Sequence, residues 1–166
     1  MVQAFEGEYT QRVDKKGRMS IPADFRRVLL SGDPEAEARG NPRLKIVYGQ
    51  HLKNCVQAYT INEYQRVIDD IYAMPRERSA DQKRLAHLYV TQSITLDVDK
   101  DGRVILPKSI RDKLSIEEGD VYFRGLVGTF EMWNNDIFQS TVNADIDDWL
   151  DGMDDDFDPL SLLGGS

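Results

Sequence analysis

The chain has 166 residues, 40% of them hydrophobic and 30% charged, which suffices for a buried core and excludes wholesale disorder. It has no apolar run of about eighteen residues, its opening Met1-Val2-Gln3-Ala4-Phe5-Glu6 lacks the basic-then-apolar pattern of a secretory signal, and Cys55 is its single cysteine; no membrane span, exported protein or intrachain disulfide is expected, and the predicted location is the cytoplasm. The formal net charge of −8 argues against a polyanionic partner only until its distribution is seen: residues 145–166 hold eight aspartates and no Lys or Arg, and the rest of the chain balances 21 basic against 21 acidic side chains.

The first predicted element is a strand in which Tyr9, Gln11 and Val13 alternate on the inner face, with Thr10 and Arg12 on the outer one. Gln11 is its one polar inward position. Asp14-Lys15-Lys16-Gly17 then closes a tight turn, in which Gly17 supplies the positive φ that side chains resist. A short second strand over residues 18–21 ends at Pro22, which suits the first turn of a helix because its missing N–H costs nothing there. Ile21, Phe25, Val28 and Leu29 line one face of that helix. Residues 31–42, rich in Gly, Pro, Ala and acidic side chains, read as a surface loop. Residues 44–48 and 56–59 form a predicted hairpin, followed by an amphipathic helix through Tyr64, Val67, Ile68 and Ile71. Residues 80–93 read as a connecting helix with Leu85, Leu88 and Tyr89 inward.

The order then begins again. A strand with Ile94, Leu96 and Val98 inward leads to Asp99-Lys100-Asp101-Gly102, a strand over residues 103–106, Pro107 and a helix burying Ile110 and Leu114. A hairpin of residues 121–126 and 129–133, with Gly128 in its turn, and a shorter helix over residues 136–142 complete it. Asp14-Lys15-Lys16-Gly17-Arg18-Met19-Ser20-Ile21-Pro22-Ala23-Asp24-Phe25-Arg26 recurs as Asp99-Lys100-Asp101-Gly102-Arg103-Val104-Ile105-Leu106-Pro107-Lys108-Ser109-Ile110-Arg111 at a constant offset of 85. At the hairpins, Ala58-Tyr59-Thr60 and Met132-Trp133-Asn134 align at an offset of 74, so the first copy is longer by 11 residues and the 31–42 loop is the expected insertion. An internal duplication fixes architecture before any other feature does. The expected organisation is a first half over residues 1–79, a second half with its connecting helix over 80–144, and an acidic tail over 145–166 that reads as flexible.

Two D-x-x-G-R turns, each followed by an apolar-Pro-x-x-apolar-Arg segment, in a chain opening with Phe5-Glu6-Gly7-Glu8-Tyr9, resemble the MraZ family over roughly residues 3–144. The resemblance implies an α+β, mainly β fold: two AbrB-like swapped-hairpin halves related by a pseudo-twofold, forming one β-barrel-like body with flanking helices. It further implies ring-shaped homo-oligomers, nucleoid-associated, that bind short direct repeats in double-stranded DNA upstream of division and cell-wall genes. The family's important DNA-binding arginine of the first turn maps onto Arg18, and the second motif carries Arg103. Three departures stand out. Glu6 occupies a position where a basic residue is common, Asp101 replaces the Lys16 of the first copy, and residues 145–166 extend beyond the family's usual end.

The first copy is the expected DNA contact, because Arg12, Lys15, Lys16 and Arg18 cluster around one turn shaped by Asp14 and Gly17. Arg18 has two readings, a contact to DNA or an ion pair with Asp14 across the turn. The second motif, Asp99, Gly102 and Arg103, reads as secondary, and Arg103 with Asp99 and Asp101 beside it favours a structural or subunit-contact role. Arg26 and Arg111 suit ion pairs between halves or between subunits. Tyr59, Tyr64 and Trp133 are spaced as core positions, and His51 and His87 lack partners at metal-ligand spacing, so neither metal nor cofactor is expected. No phosphate-cradling loop, nucleophile elbow or Cys/His pair points to an enzyme. The tail alternates acidic and large apolar residues, and three readings stay open: a solubilising end, a nucleic-acid mimic seated on the basic turn, or a docking segment for a protein partner through Trp149, Phe157, Leu160, Leu162 and Leu163. The alternative function is an antitoxin-like protein-interaction module whose acidic tail wraps a partner.

Overall fold

In the computed structural model, which describes residues 3–164, the described residues form eight strands and seven α-helices joined by short 3-10 and π segments. Two compact units are present, Met1–Asn135 and Asp136–Ser166. In the first copy the order is β1 (Glu8–Val13), β2 (Arg18–Ser20), α1 (Ala23–Ser31), α2 (Ala36–Arg39), β3 (Arg43–Val47), β4 (Cys55–Tyr59) and α3 (Ile61–Tyr72). After α4 (Ser79–Ala86) and a π turn at His87–Thr91, the second copy follows as β5 (Ser93–Asp97), β6 (Arg103–Ile105), α5 (Lys108–Lys113), β7 (Gly119–Leu126), β8 (Thr129–Asn134) and α6 (Asn135–Phe138).

The fold is α+β, and its halves are swapped. One six-stranded sheet runs β1-β7-β8-β4-β3-β5, with antiparallel pairing throughout. Exchanging each strand for its counterpart in the other copy reverses this order and leaves it unchanged, so a pseudo-twofold axis passes between β4 and β8. Gln57 and Glu131, equivalent at the offset of 74, pair with each other on that axis. The first strand of each copy adds to the hairpin of the other: Tyr9 pairs with Phe123, and Ile94 with Ile46.

The expected barrel is not closed. β1 and β5 remain the two ends of the sheet, and the strands that follow them, β2 and β6, pair with each other as a separate two-stranded ribbon. Strand register also relocates part of the insertion. Ile46 pairs with Ala58 and Phe123 with Met132, so the offset at the outer hairpin strands is 77. Eight of the extra residues therefore lie before β3, around α2, and three lie in the β3–β4 loop.

One apolar cluster joins the layers of the first unit: Met19 and Val104 from the ribbon, Phe25, Leu29, Ile110 and Leu114 from the helical segments, and Leu44, Val56, Phe123 and Phe130 from the sheet, together with Phe5. Phe25 sits at its centre, with ring centroids 4.7 Å from Phe130 and 5.3 Å from Phe5. Full burial of a side chain of this size contributes about 1.5–3 kcal/mol. α3 starts where Thr60 accepts a hydrogen bond from the Glu63 backbone N–H at 3.0 Å, a capping arrangement legible as Thr-x-x-Glu. Leu85 departs from expectation: instead of turning inward it is 37% exposed and lines an open groove with Val67, Ile71, Met74 and Tyr89.

In the second unit the helical path does not stop at residue 142. A π turn at Gln139–Asn143 leads into α7 (Ala144–Asp151), and a 3-10 segment follows at Pro159–Gly164. Asp145 and Asp147 lie in the first turn of α7, where the helix dipole favours negative charge. Trp149 meets Phe157 edge-on, centroids 5.8 Å apart.

Candidate nucleic-acid interface

The two D-x-x-G-R turns have the same internal wiring. In the first, Asp14 Oδ1 accepts from the backbone N–H groups of Lys16 at 2.9 Å and Arg18 at 3.0 Å, and the Gly17 N–H donates to the Asp14 carbonyl at 2.9 Å. In the second, Asp99 Oδ1 accepts from Asp101 and Arg103, both at 2.9 Å, and the Gly102 N–H donates to Asp99. These N–H donors, with the Arg18 side chain in the first turn, hold the carboxyls of Asp14 and Asp99 below their ordinary range. Gly17 and Gly102 have φ of 86° and 79°, the left-handed region in which the turn reverses and a Cβ is disfavoured.

Each turn is locked onto the other copy. The Gly17 carbonyl accepts from the Leu106 N–H at 2.7 Å, and the Gly102 carbonyl accepts from the Ile21 N–H at 2.9 Å. Arg111, from α5 of the second copy, donates to the Lys15 carbonyl of the first turn at 3.3 Å. Arg26, from α1 of the first copy, lies directly over Gly102. The sequence suggested ion pairs between halves or between subunits for these two arginines; both reach the other half, and Arg111 acts on backbone carbonyls rather than through an ion pair.

This locking brings both motifs to one surface. In the ribbon Arg18 pairs with Ile105, Met19 with Val104 and Ser20 with Arg103. Met19 and Val104 are buried, so the period of two places Arg18, Ser20, Arg103 and Ile105 together on the exposed face. The outward position of Ile105 was missed in the sequence, although it aligns with Ser20 and lies between the inward Val104 and Leu106.

The two arginines differ in what they leave open. Arg18 is anchored through Nε to Asp14 Oδ2 at 2.7 Å, its side chain half-exposed, and Nη1 and Nη2 make no hydrogen bond among the described residues. The ion pair with Asp14 is present, and it orients a guanidinium whose side chain remains half-exposed. Arg103 lies 3.8 Å from Asp99 through Nε and spends Nη2 on Asp101 at 3.3 Å. Lys16 stands where the second turn has Asp101, and Lys15 and Lys16 are exposed without an ion pair among the described residues. The first turn therefore carries three cations against Asp14, and the second two cations against Asp99 and Asp101. Arg12 is set apart. It projects from β1, 3.7 Å from Glu118 and opposite Asp120 in register, so its charge is offset locally.

Among the described residues no group of His, Cys, Asp and Glu is arranged to hold a metal ion, and no helix is long and apolar enough to cross a membrane. Comparison with known proteins adds a family. Residues 4–86 and 90–150 match the model of the family described as "MraZ protein, putative antitoxin-like". The chain is 40% identical over 166 residues to a protein of Ruegeria pomeroyi named Transcriptional regulator MraZ, covering 100% of this chain and 98% of that one. A protein of the same name from Ruegeria sp. strain TM1040 is 37% identical with the same coverage, and one from Cereibacter sphaeroides is 35% identical over 151 residues, 87% of this chain and 88% of that one. The two Ruegeria alignments take in the acidic end, so residues 145–166 are not an extension peculiar to this chain.

Proposed function

The chain belongs to the MraZ family, one of transcriptional regulators rather than enzymes, and from that membership we propose that it regulates transcription by binding tandem short repeats in promoter DNA as a ring homo-oligomer. Its targets on this reading are division and cell-wall genes, and its place is the cytoplasm, on the nucleoid. The observation that carries the reading is Arg18: a guanidinium oriented by Asp14 through Nε, with neither terminal nitrogen in a hydrogen bond among the described residues, on the exposed face of a two-stranded ribbon. B-DNA's major groove admits such a ribbon, and an arginine presenting two parallel N–H groups matches the O6 and N7 acceptors of guanine. Lys15 and Lys16 supply phosphate contacts that position the ribbon, while Asp14 and Gly17 hold its turn in shape. Asp99, Gly102 and Arg103 build the matching end, with Arg103 restrained by Asp101. Arg12, offset by Glu118, contributes to the field rather than to a base contact.

One ribbon with about three phosphate contacts gives a salt slope near −2.7, the regime of weak binding. A ring presenting several ribbons turns later contacts into intramolecular ones, and avidity then rises by roughly 10² to 10⁴. The direct test is Arg18→Ala, titrated against the repeat-bearing DNA upstream of the protein's own gene, with assembly size measured in parallel. Loss of binding with assembly intact is expected; undiminished binding removes Arg18 from the site. Equal affinity for one repeat and for three contradicts the ring.

A second reading rests on α7, where Ile146, Trp149 and Leu150, with Met153 beyond it, are 37–45% exposed among aspartates. Their i, i+3, i+4, i+7 spacing makes one apolar stripe, suited to a protein partner of the antitoxin kind. Co-purification of a small basic protein, lost on removing residues 145–166, distinguishes it.

A further inference from the structure

The exposed face of the ribbon is a two-by-two array, Arg18 beside Ile105 and Ser20 beside Arg103. Three of these side chains are polar. Ile105 is β-branched, 65% exposed, and seated on a short strand whose alternate residue Val104 is buried in the core. Directly opposed residues on such a pair have Cβ atoms roughly 4.5–5.5 Å apart, within two base-pair steps of about 3.4 Å. When Arg18 lies along a base edge, Ile105, its directly paired neighbour on the same exposed face, is the side chain next to it. In the major groove the one apolar group a base presents is the C5-methyl of thymine, and an aliphatic side chain is its complement.

The same residue breaks the symmetry of the ribbon. The pseudo-twofold relates Arg18 to Arg103 but matches Ser20 with Ile105 and Lys16 with Asp101. A reader with true twofold symmetry demands a palindromic site. One whose halves differ at the reading face has a direction, as tandem direct repeats require.

We propose that Ile105 is a specificity residue: it packs against the C5-methyl of a thymine beside the base pair contacted by Arg18, and so sets the direction in which the ribbon lies in the groove. The proposal rests on the DNA-binding reading above. Its test uses the full chain and the duplex upstream of its own gene, unmodified and with thymines replaced by deoxyuridine at one position of the repeat at a time, which deletes the methyl and leaves base pairing unchanged. Wild-type protein is expected to lose about fourfold in affinity or more at one position, the factor for one buried methyl group. Ile105→Ala should bind the thymine duplex more weakly by a similar factor, be indifferent to uracil there, and keep its assembly size, whereas Ile105→Val keeps the discrimination. Wild-type affinity that is unchanged at every uracil position overturns the proposal and leaves the DNA reading standing. Discrimination that persists in Ile105→Ala, or a changed assembly size with unaltered DNA binding, also overturns it and marks Ile105 as something other than a base contact. Failure of the wild-type protein to bind the unmodified duplex defeats both readings.

Discussion

Arg111 in the second copy donates through Nη1 to the carbonyl of Lys15 in the first turn, at 3.3 Å. Its Nε reaches the Leu106 carbonyl at 3.2 Å, and Nη1 also reaches that of Glu117 at 3.3 Å. One side chain thus ties the helix of one copy to the turn of the other, across 96 residues of sequence. Carbonyls at a tight turn have few backbone partners, and a planar fork of donors serves several of them at once.

Arg111→Ala should therefore lower unfolding free energy by about 1.5–3 kcal/mol, the range for hydrogen bonds to a charged group. Arg111→Lys, with a single ammonium in place of the fork, should recover only part of it. Urea denaturation of the three proteins measures this; equal midpoints for wild type and Arg111→Ala would show that the bracing does not matter.

The two turn glycines should differ although their φ values match. A Cβ on Gly17 would stand 2.4 Å from the Leu106 carbonyl oxygen, a backbone atom that accepts from Arg111 Nε, whereas on Gly102 it would meet the guanidinium end of Arg26, which can swing aside. Both alanines incur left-handed strain of about 1–2 kcal/mol. Gly17→Ala must also displace backbone, so its loss should be about 3 kcal/mol or more. Similar thermal shifts for the two variants would contradict this.

Acid sensitivity should centre on Asp33. Its side chain is buried and accepts four hydrogen bonds, from the Arg43 backbone N–H, Nε and Nη2 and from the Glu35 N–H, at 2.9–3.0 Å. The Arg43 guanidinium, and after it these backbone donors, hold the carboxyl below its ordinary value of 3.8 against the opposing effect of burial. A depressed pKa contributes stability that is fully present above that ordinary value and is lost as pH falls through the folded one. Unfolding free energy should accordingly show no change from this group between pH 7 and pH 5 and fall below about pH 4, with Asp14 and Asp99 adding to the same window. Asp33→Asn should cost about 3 kcal/mol or more at pH 7, because it takes from Arg43 its buried carboxylate and leaves the exposed Glu35, 3.4 Å away, as the remaining ion pair, and should flatten the decline below pH 4. An unchanged acid profile in that variant would remove Asp33 as its source.

How far the sequence reaches is shown by particular residues. Asp14, Gly17, Arg18 and their counterparts were legible because a tight turn is local chemistry: a carboxylate for the free N–H groups, a glycine for positive φ, all within five positions. The inward sets Tyr9, Gln11, Val13 and Ile94, Leu96, Val98 follow from a period of two. Arg12 looked like part of the cationic cluster because it is near in sequence, and only the pairing of β1 with β7 placed it beside Glu118 and Asp120.

The amino-acid order alone determined a duplicated strand-turn-strand-helix unit, its turn residues and a neutral body with an acidic end, since each depends on neighbours a few positions apart. Tertiary structure decided which copy's hairpin each first strand joins, that β2 and β6 leave the sheet open by pairing with each other, and that Arg18 and Ile105 share one exposed face. The alternation of apolar and polar residues is satisfied equally by pairing within a copy or between copies. Choosing between them is a matter of how a single core is filled from both halves, and that is a property of contacts far apart in the chain.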